Sequence, residues 1–231
     1  MTHLIVDCQT LDFDWSGANG LLTRATDLKA ENASGIELFL FRGSPSVSPE
    51  WAGRPDVFWL AEMGLDQAAK FRDLHPGERV LPSASAARPS SNFSMGDRYT
   101  GDGFRYYVPD VSTYKTYRVA DGDAYLSDWL ARAAELGFDS VLFEAPEARA
   151  GTKGFDLDLL EKIKRNFSGQ IFMSGGGEEL LHFERLKKEG GCFGALIDQS
   201  AALNIGIQEI ADLLKPPPEE MSPPETEGEA A

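Results

Sequence analysis

Short apolar runs of strand length alternate with helix-like stretches through most of the chain, and that alternation restricts the fold more than any other feature. The runs are 3–9 (HLIVDCQ), 36–42 (IELFLFR), 57–63 (VFWLAEM), 79–85 (RVLPSAS), 104–112 (FRYYVPDVS), 139–145 (DSVLFEA), 170–175 (QIFMSG) and 193–199 (FGALIDQ). Between them, 20–32 (GLLTRATDLKAEN) puts Leu21, Leu22, Ala25 and Leu28 on one helical face, and 66–74, 124–137, 156–169, 178–190 and 207–215 also read as helices. Residues 48–56 are too poor in helix formers for a full helix, and 87–103 reads as a long loop. Eight strands with mostly helical connections specify an α/β fold, a (β/α)8 TIM barrel occupying 1–215 as a single domain. A doubly wound open sheet shares the alternation, but strand number and compact spacing favour closure.

Charge narrows the function classes. The formal net charge is −15. Part of it sits in KPPPEEMSPPETEGEAA, 215–231, a Pro/Glu-rich acidic stretch without aromatics, so 216–231 is expected to be a disordered tail. No basic patch interleaved with aromatics is present, which argues against nucleic acid. No leader and no bilayer-length apolar run is evident, so no membrane association and a cytoplasmic location are expected. Cys8 and Cys192 are the only cysteines, and there is no CxxC or HExxH. No metal site and no cofactor are expected. The two thiols should be reduced, on strands that become neighbours, within roughly 20 Å of each other, when the barrel closes.

The stretch QIFMSGGGEELL, 170–181, carries the sharpest local signal. Ser174, Gly175, Gly176 and Gly177 lie between a strand and a helix. Glycines there let backbone N–H groups face an anion, typically phosphate, at a helix N-terminus. A tight strand-to-helix turn with no ligand fits the same residues. His182, within that helix, reads as a surface or packing residue rather than a ligand.

Three pieces in fixed order resemble one family. Gly151-Thr152 with Gly154 after strand 6, Ser174-Gly175-Gly176 after strand 7, and Gly194-Ala195 opening strand 8 look like the second half of the histidine-biosynthesis barrels, the HisA/HisF group. The resemblance extends faintly to 60–86. It implies a phosphorylated small-molecule substrate, sugar- or pterin-linked, and acid/base isomerase- or lyase-type chemistry by two carboxylates, one after strand 1 and one ending strand 5. Asp110 in YVPDV would be the strand 5 carboxylate, although an aspartate there also serves as a cap. On strand 1, Asp7 and Gln9 share parity, and either could hold the family's position. Glu144, ending strand 6, is a further inward candidate, although an acid there also fits an exposed loop. Gly151, Thr152, Ser174, Gly175, Gly176, Gly177, Gln199 and Ser200 would bind substrate and phosphate.

The departures from the family are specific. Ala150 replaces the aspartate before Gly-Thr, LAEMG at 60–64 replaces a glycine-rich phosphate turn, and Asp198 replaces the glycine after strand 8. A carboxylate beside a phosphate is costly unless a cation intervenes. The N-terminal half is thus eroded, and one good phosphate site at most is expected. An isomerase-related branch of the family, found with tetrahydromethanopterin-dependent one-carbon genes, resembles such a barrel. The alternative reading is a non-catalytic barrel that binds a metabolite or a partner protein.

Overall fold

The computed structural model describes residues 2–8, 14–29, 33–88, 117–122, 124–149 and 154–215. Its strands are β1 (His3–Asp7), β2 (Gly20–Arg24), β3 (Leu38–Arg42), β4 (Val57–Ala61), β5 (Val80–Ala87), β6 (Arg118–Val119), β7 (Ala124–Tyr125), β8 (Ser140–Glu144), β9 (Gln170–Ser174) and β10 (Gly194–Asp198). The helices are α1 (Leu65–Leu74), α2 (Leu126–Glu135), α3 (Pro146–Arg149), α4 (Leu157–Asn166), α5 (Leu180–Lys188), α6 (Gln199–Ile205) and α7 (Ile207–Leu214). The sheet runs β4-β3-β2-β1-β10-β9-β8-β5, and β4 pairs with β5, so eight parallel strands close into a barrel. The expected TIM barrel is therefore present, with β1 against β10 at the seam. The short pair β6–β7 extends β5 as an antiparallel ribbon.

Two assignments change. Residues 20–24 form β2, paired with β1 and β3, not the start of a helix over 20–32. The physical reason is burial on both faces. Leu22 packs in the barrel interior and Leu21 against the outer layer, and Thr23 is buried as well, so no exposed residue before Arg24 reveals a period of two. The fifth place in the barrel belongs to β5, which pairs directly with β8 from Ser83↔Leu142 to Ser85↔Glu144. The run 104–112, read as strand 5, lies outside the described residues, as does the tail 216–231.

Alternation within the strands builds two cores. Ile5, Leu22, Leu40, Phe58, Leu81, Leu142, Phe172 and Leu196 point inward and fill the barrel, with Phe58 and Phe172 edge to face at 5.2 Å. Leu4, Val6, Phe39, Phe41, Val141, Phe143 and Ile197 point outward beneath the helices. At the floor the Arg79 guanidinium lies 3.8 Å from the Phe58 ring centroid and donates to Gln170 Oε1 at 2.7 Å. The cysteines are free, but closure does not bring them together. Cys8 follows β1 and Cys192 precedes β10, and parallel register puts them at opposite ends, about seven residues or ~23 Å apart along the strand. The separation expected for them ignored that polarity.

Candidate functional site

Inward parity carried one step past the apolar layer reaches the C-terminal mouth, where barrels of this kind place their chemistry. Two residues beyond Ile5, Leu22, Leu40, Leu60, Leu142, Phe172 and Leu196 stand Asp7, Arg24, Arg42, Glu62, Glu144, Ser174 and Asp198. The mouth is thus a polar layer above a sealed apolar one. Asp7 and Asp198 are register partners on neighbouring strands, and Glu144 is the partner of Ser174.

Two arginines organise the carboxylates. Arg42 donates from Nη1 and Nη2 to the two oxygens of Asp7, each at 2.9 Å, and from Nε to Glu62 Oε1 at 3.2 Å. The hydrogen bonds to Asp7 raise the Arg42 pKa, outweighing the desolvation that opposes them. Across the mouth Arg149, the last residue of α3, donates from Nη1 to Glu144 Oε1 at 2.7 Å and from Nη2 to Asp198 Oδ1 at 3.1 Å. Glu62 and Asp198, the two acids that stood against a phosphate site in the sequence, each have a guanidinium beside them.

The Ser174–Gly177 turn lies next to Arg149. A narrow cavity with about 20 Å³ of water-sized space is lined by Arg149, Ser174, Gly175, Gly176, Gly177, Glu178 and Asp198. The glycines are demanded by packing. Gly175 and Gly176 have φ of +96° and +94°, and a Cβ on Gly176 would lie 2.3 Å from the carbonyl oxygen of Gly154. A Cβ on Gly177 would meet Ile197 at 2.5 Å. The following helix is capped internally, because His182 Nδ1 accepts from the N–H groups of Glu178 and Glu179 at 3.2 and 3.3 Å. His182 is buried there as a cap, in keeping with a packing role.

The other sequence candidates distribute as follows. Asp7 and Glu144 face the mouth on β1 and β8. Gln199 and Ser200 are the first two residues of α6, immediately after Asp198. Asp110, Gln9, Gly151 and Thr152 lie outside the described residues. A larger cleft of about 610 Å³, lined by Arg79, Asp139, Lys164, Gln170, Cys192 and Phe193, opens at the opposite, N-terminal end of the strands. The mouth is the candidate site because the strand-end side chains converge there. No described helix is long and apolar enough to cross a membrane.

Comparison with known proteins agrees with this geometry. A family model described as "Histidine biosynthesis protein" matches residues 110–202. The imidazole glycerol phosphate synthase subunit HisF of Nocardioides sp. is 27% identical over 203 residues, covering 82% of this chain and 72% of that one. HisF of Corynebacterium glutamicum is 28% identical over 138 residues, 60% of this chain and 45% of its own. HisF of Mycobacterium leprae is 27% identical over 150 residues, with coverage of 64% and 49%. The match thus spans about half the length of the last two relatives.

The chain is a (β/α)8 barrel similar to the HisA/HisF group.

The matched stretch of this HisA/HisF-like barrel contains Glu144, Arg149, the Ser174–Gly177 turn and Asp198. Arg42, Asp7 and Glu62 lie before it. Sequence reasoning passed over both arginines. A signal existed for Arg42, whose parity follows Leu38 and Leu40 into the barrel. None existed for Arg149, which reaches the mouth from a four-residue helix rather than from a strand.

Proposed function

We propose that this HisA/HisF-like barrel acts on a phosphorylated small molecule by acid/base, isomerase- or lyase-type chemistry at the strand ends of its mouth. The observation that carries the reading is Arg149, a guanidinium placed against the Ser174–Gly177 turn and ion-paired to the carboxylates of two barrel strands. Guanidinium and backbone N–H groups together suit a phosphate. Gln199 and Ser200 at the start of α6 border the same corner. Asp7 and Glu144 are the described carboxylates proposed for proton transfer, with Asp110 and the substrate contacts of Gly151 and Thr152 as further proposals. The Arg42 side holds Asp7 and Glu62 instead of a glycine-rich turn, so one phosphate is accommodated rather than two.

The natural context proposed is a cofactor or one-carbon pathway whose intermediate carries a single phosphate. A second reading, a non-catalytic metabolite- or partner-binding barrel, is favoured by one feature. Asp7, Glu62, Glu144 and Asp198 are all engaged by arginines. The relatives are named as subunits, and a partner protein is proposed on that basis.

Calorimetric titration with fructose 6-phosphate and fructose 1,6-bisphosphate tests the one-phosphate reading. The monophosphate should bind at least as tightly as the bisphosphate. A bisphosphate preference above about tenfold would restore a second phosphate site, and binding of neither sugar would give the lead to the partner-binding barrel.

A further inference from the structure

We propose that Arg149 is an exchange latch. It releases Glu144 and Asp198 when a phosphate-class anion enters beside Ser174–Gly177, the two carboxylates being internal competitors for one anion site. The inference rests on the phosphate-binding reading above and adds a mechanism of entry and a source of weakness in it.

Three observations carry it. The guanidinium gives one nitrogen to each of two acids, at 2.7 and 3.1 Å, and those acids come from strands β8 and β10 on either side of β9. Carboxylate oxygens so held occupy donor positions that a phosphate would use. All three side chains are about half exposed, at 48%, 40% and 44%, so parting them leaves no charge buried. The space beside the turn, about 20 Å³, holds little more than one water while the bridge stands.

Backbone movement cannot enlarge that space cheaply. Ala145 O lies 2.7 Å from the Cβ position of Gly175, and Gly154 O lies 2.3 Å from that of Gly176, so the turn is wedged between two segments. The half-exposed Arg149 side chain is free of that wedge. Its rotation off Glu144 and Asp198 opens the corner and supplies the cation in one motion. The observed affinity for an anion is then the intrinsic affinity scaled by the fraction of time that Arg149 is unlatched.

The test is titration calorimetry with inorganic phosphate on the full chain and four variants. Glu144→Gln/Asp198→Asn removes the competitors isosterically. Arg149→Gln removes the receptor, and Arg149→Lys keeps its charge without the fork. Asp128→Asn/Glu135→Gln, on α2, makes the same change in net charge away from the mouth. If Arg149 is unlatched about a tenth of the time, the Glu144/Asp198 variant binds phosphate about tenfold more tightly than the parent. Arg149→Gln should bind at least about tenfold more weakly, with Arg149→Lys in between, and the α2 variant should match the parent. Phosphate binding by the parent with no gain in the Glu144/Asp198 variant overturns the latch and leaves the anion site standing. An equal gain in the α2 variant also overturns the latch, by assigning the effect to bulk charge. Absence of phosphate binding in every chain overturns the anion site and the latch with it.

Discussion

Arg42 grips Asp7 through both terminal nitrogens, each 2.9 Å from its own carboxylate oxygen. The pair joins the end of β3 to the end of β1 across the intervening β2. Its side chains are 34% and 23% exposed, so the interaction is only partly screened. Arg42→Gln leaves Asp7 and Glu62 facing each other without the cation. It should cost about 1–2 kcal/mol, while Glu62→Gln, removing the weaker and more exposed partner, should cost less than about 0.5 kcal/mol. Urea unfolding of the two variants measures this. Equal midpoints for parent and Arg42→Gln would show that the fork contributes nothing to folding.

Glycines with similar φ should differ sharply in tolerance. Gly35 has φ +87° and nothing within 4 Å of its Cβ position, whereas Gly176 has φ +94° and the Gly154 carbonyl at 2.3 Å. Gly35→Ala should lose about 1 kcal/mol from backbone strain alone, and Gly176→Ala more than about 3 kcal/mol. Thermal unfolding of the two proteins compares them directly. Similar losses would mean that the backbones of the turn and of Gly154 separate easily.

For folding alone, residues 89–116, which include the proposed Asp110, are predicted to be dispensable. The chain enters them at Arg88 and leaves at Tyr117, whose hydroxyl accepts from Arg88 Nε at 3.0 Å. The next residues are already paired, Ala87 with Arg118 and Ala86 with Val119. Replacing 89–116 by a short Gly/Ser linker should leave a cooperatively unfolding barrel. Loss of the cooperative transition would show that these residues hold the barrel closed.

Stability should fall at alkaline pH. Burial pushes both thiols up from 9.0 to about 12, with the Asp7 charge adding to the effect at Cys8. The folded state therefore favours the neutral thiol. Its contribution is complete below pH 9 and is lost as the pH rises from 9 through about 12. At pH 10 the loss should be about 1 kcal/mol per thiol, and Cys8→Ala/Cys192→Ala should flatten the decline between pH 8 and 10. A decline of undiminished slope in that variant would assign it to other groups.

Truncation after Lys215 should leave the melting temperature nearly unchanged, because 216–231 offer five prolines and no aromatic or β-branched apolar residue to bury. A drop of more than about 5 °C would mean that this segment docks on the barrel.

The second half of the fold was legible in the sequence because its helices are bounded by side chains with one meaning. Asp156 accepts from Leu159 N–H as the cap of α4, and Gly137 at φ +78° follows α2. The first half misled at 20–32, since a strand buried on both faces and a helix with one apolar stripe write the same leucines. At the site, the carboxylates Asp7 and Glu144 were readable from strand-end parity. Of their arginine partners, Arg42 shared that strand parity, but its pairing with Asp7, 35 positions away, left no local pattern, and Arg149 came from a short helix outside the strand alternation. The triple glycine was read as a ligand signal or as a turn, and its packing against Gly154 and Ala145 is contact information that no single segment holds.

That packing ties three positions into one unit. The His182 ring lies 2.7 Å from where a Cβ of Gly154 would stand, and Gly154 in turn closes on Gly176. A side chain gained at Gly154 or Gly176 forces its neighbours to move, so the glycines would outlast the loss of every ligand. In this chain the Ser-Gly-Gly turn is required for assembly whether or not a ligand binds. Arg149, held only by half-exposed ion pairs to Glu144 and Asp198, is the position at which a change would report on binding more than on assembly.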